Sequence, residues 1–290
     1  WIRLAATLPV ITAVFLAFGC GVKSEAKAEK TATNLTSDRQ EPLTFRIHVA
    51  KSKDEKGTYS IYCNDNLTDI ETISKTVSEY FSGEEMYNTT VSISADENVP
   101  MGIITDIKEQ LRNARALKVR YETNDSAIEG SAIEKRLPPA LQTGSPVVVV
   151  DAISNVDRRN VIVVRVNPKG EMFMGSTYVI GSLHNEVFYR KEIERLKGII
   201  ANSADDTKNP EIELKDIQMP DGSSRQFRVS KGMVSFQNDI ETSYEDYTKA
   251  MSLITTAYKE IREELSAETF GKSLADLSDE EMQVIYQAVP

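Results

Sequence analysis

Side chains able to do acid–base, metal or nucleophilic chemistry are few and scattered in this chain. Its 290 residues include two histidines, His48 and His184, and two cysteines, Cys20 and Cys63. The histidines are too few and too distant in sequence for a His-based metal site or triad, and the cysteines form neither a CxxC pair nor a disulfide framework. His48 falls on the outward register of a strand pattern and reads as solvated. Asp205-Asp206 lacks the glycine and ligand spacing of a calcium loop. Asn34, Asn66 and Asn88 begin N-x-[ST] triplets, a pattern too short to carry weight. No Gly-rich phosphate loop, nucleophile elbow or HExxH occurs. No catalytic, cofactor or metal residue is expected, and no enzyme. Asp96 and Asp239 remain. Each stands where a strand pattern hands over to a helix pattern, a place where free N–H groups and the helix dipole favour a carboxylate. A cap or a turn is the expected role, and contact with a partner the alternative.

Composition narrows the class. With 40% apolar and 27% charged residues the chain is ordinary globular material, neither collagen-like nor wholly disordered. Its net charge of −10 carries no basic footprint for nucleic acid. Residues 239–290 hold 12 acidic and 4 basic residues, so most of that charge sits in the last fifth. A start at Trp1 instead of Met suggests that residues precede it.

Residues 4–22 contain no charge, and 19 residues at a helical rise span roughly 28 Å, close to a hydrocarbon core. Arg3 precedes the run and Lys23, Lys27 and Lys30 follow it. Three readings fit: a retained single-pass membrane anchor, a lipoprotein signal ending at Ala17-Phe18-Gly19-Cys20, or a cleaved signal peptide. Each sends the bulk of the chain out of the cytoplasm.

The elements follow from periodicity. Residues 26–41 are polar and aperiodic, a flexible tether. Phe45, Ile47 and Val49 alternate with Arg46 and His48, and Tyr59, Ile61 and Cys63 resume the alternation after a charged turn, giving a hairpin. A helix over 69–81 presents Ile70, Ile73, Val77 and Phe81. Residues 91–95 read as a strand, and Pro100 opens a helix facing inward with Ile103, Ile107, Leu111 and Ala114. A strand over 118–122 closes a ββαβαβ module. After a linker with Pro138-Pro139 the pattern restarts. It gives a strand over 161–166, a turn at Asn167-Pro168-Lys169-Gly170, and a helix lined by Leu183, Val187, Ile193, Leu196 and Ile200. An insertion over 202–225 and a strand over 227–237 follow. The long last helix carries Tyr244, Tyr247, Met251, Ile254, Tyr258, Ile261 and Leu265 at 3-4 spacing, a core face or a subunit seam. Ser278 and Glu281 have capping-box spacing.

The expected fold class is therefore α+β, an N-terminal membrane helix followed by two ββαβαβ-like two-layer sandwich modules and a C-terminal helical tail. The expected segments are an anchor (1–23), a tether (24–42), a first module (43–124), a linker (125–146) and a second module with its tail (147–290). Val91-Ser92-Ile93-Ser94-Ala95-Asp96 overlays Val234-Ser235-Phe236-Gln237-Asn238-Asp239, which points to duplication.

Residues 91–100, ending in Asp96-Glu97-Asn98-Val99-Pro100, together with the helix through Asp106 and the strand from Lys118, resemble the ExbD/TolR family of biopolymer-transport subunits. Independently, Lys231-Gly232-Met233-Val234-Ser235-Phe236-Gln237-Asn238-Asp239 is similar to the long-tailed branch of that family. So are Tyr258-Lys259-Glu260-Ile261-Arg262 and Phe270-Gly271-Lys272. The resemblance covers most of residues 43–290. It implies a bacterial inner-membrane protein with periplasmic modules that couples proton-motive force to outer-membrane transport. The implied partners are an ExbB/TolQ-like proton-channel subunit, a TonB- or TolA-like periplasm-spanning protein, other ExbD-like copies and membrane lipid. The family's membrane helix carries Pro, two apolar residues and then a proton-relaying Asp. Here Pro9-Val10-Ile11-Thr12 puts Thr12 at that position, and a threonine cannot take up and release a proton near neutral pH. A non-relaying copy is expected. The alternative is a lipid-anchored periplasmic scaffold acylated at Cys20, without a motor role.

Overall fold

The structure, a computed structural model, describes residues 44–52, 58–81, 89–123, 132–139, 157–175 and 177–290. Alternation builds the first sheet. Strand β1 (Thr44–Lys51) buries Phe45, Ile47 and Val49 and turns Arg46 and His48 outward. It pairs antiparallel with β2 (Tyr59–Cys63), which joins β3 (Asn66–Thr68) through Asn64-Asp65. Both turn residues take positive φ, 45° and 67°, as a two-residue hairpin loop that follows the strand twist requires. A 3-10 turn (Ile70–Thr72) leads into α1 (Ile73–Tyr80), which buries Ile73 and Val77. Then come β4 (Thr90–Ala95), α2 (Met101–Asn113), β5 (Lys118–Glu122) and β6 (Ala132–Arg136). The sheet order is β3-β2-β1-β4-β5-β6, with β4 parallel to β1 and to β5.

The second half runs β7 (Val161–Val166), β8 (Glu171–Met174), β9 (Thr177–Ser182) and α3 (Glu186–Ala201). A ribbon of β10 (Ile212–Gln218) and β11 (Ser224–Ser230) follows, then β12 (Met233–Asn238), α4 (Tyr244–Phe270) and α5 (Asp279–Ala288). Its sheet is ordered β12-β7-β8-β9. Read backwards this is the β3-β2-β1-β4 order of the first half. The registers agree as well: β4 sets Val91 opposite Phe45, and β12 sets Val234 opposite Ile162, each one residue into its strand. The halves diverge after the second helix. Helix α2 returns to the sheet as β5, whereas α4 continues to α5, which packs on the β10–β11 ribbon around Ile217, Phe227 and Val284. Strand β12 is left as a sheet edge.

The expected fold class needs correction. No helix among the described residues is long and apolar enough to cross a membrane. Helix α4 has the length, at 27 residues, but Glu, Asp, Lys and Arg recur along it. The expected anchor and tether, residues 1–42, lie outside the described residues. Neither half is ββαβαβ either. The first has two further strands, β3 and β6, and the second has none after its long helix. Strand β6 falls inside the stretch expected as linker because, as an edge strand, it buries only Ile133 and so shows no alternation. The expected strand over 227–237 breaks at Lys231-Gly232, and its two pieces belong to different sheets. The expected insertion contains β10, whose single buried residue, Ile217, again leaves no period to read.

Helix faces shift in detail. Helix α2 buries Ile104 where Ile103 was expected, and Val187 of α3 is 78% exposed. Helix α4 is buried nearly all round in its first half, where Tyr244, Tyr247, Ala250, Met251, Leu253, Ile254 and Ala257 join the main core. It packs against α3, β6 and β7. The 3-4 stripe from Tyr244 to Ile254 therefore faces the chain's own interior.

Candidate functional site: the paired strand-to-helix turns

The two overlaid segments end in equivalent turns. The Asp96 N–H donates to the carbonyl of Val49 (2.9 Å) and the Asp239 N–H to that of Val166 (3.4 Å). Val49 and Val166 are each the sixth residue of their strand. Four residues on, Pro100 and Ser243 precede α2 and α4. The turns then lie antiparallel against one another, with Pro100 bridged to Ser243. Met101 N–H donates to Thr242 O (2.9 Å) and Tyr244 N–H to Val99 O (2.8 Å). Gly102 N–H donates to Ile240 O (2.7 Å) and Glu245 N–H to Glu97 O (3.2 Å). Exchanging the halves exchanges the members of each pair, so a local pseudo-twofold axis passes between the turns. The donors are among the first N–H groups of the two helices, which have no partner within their own helix. Each turn thus caps the helix of the other half.

That mutual capping changes the roles of the candidate acids. Asp96 caps no helix; its Oδ2 accepts from Lys51 N–H (2.8 Å) and holds the end of β1. Asp239 accepts from Glu241 N–H (3.0 Å) and shapes its own turn. The side-chain cap of α4 is Ser243, which accepts from Asp246 N–H (3.0 Å). Thr12 and Cys20 lie outside the described residues.

Both histidines flank the turns, which their sequence positions did not suggest. His48 is exposed, with Nδ1 2.9 Å from Ser94 Oγ and Nε2 3.9 Å from Asp96. It lines an open cleft of about 520 Å³ with Tyr59, Asp96 and Glu97. Arg165 and Gln237 form the equivalent pair in the second half (2.7 Å). His184 sits between two carboxylates of α4's first turn, Nδ1 3.3 Å from Glu245 and Nε2 3.0 Å from Asp246. Asp246 is 8% exposed, and its other oxygen accepts the Ser243 hydroxyl (2.7 Å). That hydroxyl bonds the carboxylate and not the imidazole, so the trio does not make the nucleophile–base pair of covalent catalysis. Among the described residues no three His, Cys, Asp or Glu side chains are placed to hold a metal ion.

Tyr244 ties α4 of the second half to the first sheet: its hydroxyl lies 2.8 Å from the carbonyl oxygens of both Ile93 in β4 and Glu122 in β5. Burial, then the nearby Glu122, holds this phenol far above its ordinary pKa, so it serves as a neutral donor. It borders a cleft of about 250 Å³ whose walls include Glu97, Glu122 and Glu245. The arrangement anchors α4 on the first sheet and presents acidic surface beside the turns. No protein-family model matches this chain, and no curated protein and no solved structure is found to match it.

Proposed function

We propose that this chain is an ExbD/TolR-like energy-coupling adaptor of the bacterial inner membrane, with its described residues in the periplasm. It works beside an ExbB/TolQ-like channel and passes motion to a TonB- or TolA-like protein. The observation that carries the reading is the pairing of the turns. Two of the stretches that carry the family resemblance, residues 91–100 and 231–239, lie in or run into the segments that cap one another's helices. Backbone bonds across the pair tie the two halves together, which a subunit that transmits displacement needs. With Thr12 at the family's proton-relay position, the chain transmits and leaves proton passage to a companion copy.

The test is energy-dependent uptake through an outer-membrane transporter in a host lacking this chain. Uptake should fall and be restored by the wild-type chain and by Thr12→Val, because no protonation is lost. A photo-crosslinking residue at Ile240, which is 68% exposed on the turn, should capture the periplasm-spanning partner. Uptake that is normal without the chain overturns the proposal. Restoration failing in Thr12→Val, with the protein present at wild-type levels, overturns the proton-silent assignment.

A further inference from the structure

Three cations gather on a row of aromatic rings with no carboxylate answering them among the described residues. Tyr121, Tyr247 and Phe236 form the row, with successive centroids 5.5 and 5.3 Å apart. The Lys108 ammonium stands 5.7 Å from the Tyr247 centroid. Lys135 stands 6.0 Å from that of Phe236 and 3.4 Å from the Met251 sulfur. Arg112, one turn along α2 from Lys108, has its Nε buried without a hydrogen-bond partner among the described residues. Of the acids nearest in sequence, Asp106 and Glu109 are exposed on α2, and Glu134 is engaged with Lys118. Burial first, then the charges of Arg112 and Lys135, pulls Lys108 down to about 8. Ring faces recompense buried cations only in part, and an anion is what such a cluster lacks.

An apolar groove opens from the same place. A cavity of about 420 Å³ runs beside β12, lined by Lys135, Met233, Phe236, Met251, Ile254 and Tyr258. Its volume is that of a small-ligand site, and one cation at the end of apolar walls is the usual way such a site orients its ligand. We infer that this is a binding site for a small amphiphilic carboxylate. Its head group meets Lys108, Arg112 and Lys135, and its apolar chain lies along the groove beside β12. Charge complementarity selects the head and the thioether and ring walls select the tail. The assignment does not depend on the envelope role proposed above.

Methionine-methyl NMR of the full chain, titrated with sodium decanoate below its micelle concentration, tests this at the groove itself. The Met233 and Met251 signals should shift saturably with decanoate and not with decyltrimethylammonium. Lys108→Gln and Lys135→Gln should each weaken decanoate at least ten-fold, while keeping or raising the thermal midpoint because an unanswered charge is removed. Wild-type affinity should also fall from pH 7 to pH 9 as Lys108 loses its proton. The other groups facing it, Arg112, Lys135, Tyr121 and Tyr247, leave that sign unchanged: burial holds both phenols neutral in this range. Unmoved Met233 and Met251 signals, an equal response to decyltrimethylammonium, or unaltered affinity in both variants overturns the site. A tetraglutamate peptide binding as tightly as decanoate overturns the role given to the apolar tail.

Discussion

Gly170 and Tyr244 show how single atoms hold the paired turns in place. Gly170 ends the β7–β8 turn with φ +68°, and a Cβ there would stand 2.5 Å from Asp246 Oδ1. Gly170→Ala therefore strains the backbone and displaces the carboxylate that faces His184. Gly175 has nearly the same φ, +63°, and open space around it. Gly175→Ala should cost about 1 kcal/mol from the backbone alone, and Gly170→Ala about 2–3 kcal/mol. Denaturant unfolding of the two variants measures the difference; equal losses would mean that the contact with Asp246 is unimportant. Tyr244→Phe removes the one proton that the carbonyls of Ile93 and Glu122 share and should cost about 1–2 kcal/mol, read as a lowered thermal midpoint with an unchanged far-UV spectrum.

At the scale of elements, α3 is fastened to α4 by a charged cluster that neither helix pattern advertises. Lys197, with its side chain only 12% exposed, reaches Glu264 (2.7 Å), Glu260 (3.1 Å) and Glu194 (3.4 Å), and Arg190 pairs with Glu260. Burial pushes the Glu260 carboxyl up, but hydrogen bonds from Arg190 and Lys197 outweigh it and leave the pKa below its usual value. A depressed acid contributes stability that is present above its unfolded-state pKa and lost as pH falls through the folded one. Lys197 is shifted upward by its carboxylates despite burial, so its contribution holds through neutral pH. Lys197→Met should thus cost about 1–2 kcal/mol at pH 7, and the gap from wild type should shrink from pH 5 to pH 3. A gap that stays constant over that range would show that packing, and not charge, is lost. Helix α5 depends on a capping box: the Ser278 side chain accepts from Glu281 N–H, and Glu281 Oε2 accepts from Ser278 N–H. Ser278→Ala should cost about 1 kcal/mol, and hydrogen exchange should rise in α5 and the β10–β11 ribbon it covers before it rises in either sheet.

For the molecule as a whole, the paired turns and the anchoring of α4 on the first sheet by Tyr244 make the two halves interdependent. Four backbone hydrogen bonds cross between the turns, and the main core is one continuous cluster running through both halves. Calorimetry should accordingly show residues 44–290 unfolding in a single transition. Two resolved transitions would show that the halves are stable separately, and the turn pairing would then be a weak contact.

Local patterning determined what local patterning can. Alternation placed β1 and β2, a buried apolar run placed β7, the apolar period placed α2 and α4, and the Val91/Val234 overlay already aligned the two turns that the structure sets together. Edge elements escaped it, because β6 and β10 bury one residue each and a single buried residue has no period. The site was legible only in outline: Asp96 and Asp239 marked the right turns, but their carboxylates serve β1 and the loop, and the helices are capped across the axis. His184 meets Asp246 from 62 residues away, Lys197 meets Glu260 from 63, and Tyr244 reaches Ile93 from 151. Periodicity reports which face of an element turns inward. Which other element's atoms wait there depends on chain closure and packing over such separations, and only the tertiary structure decided it.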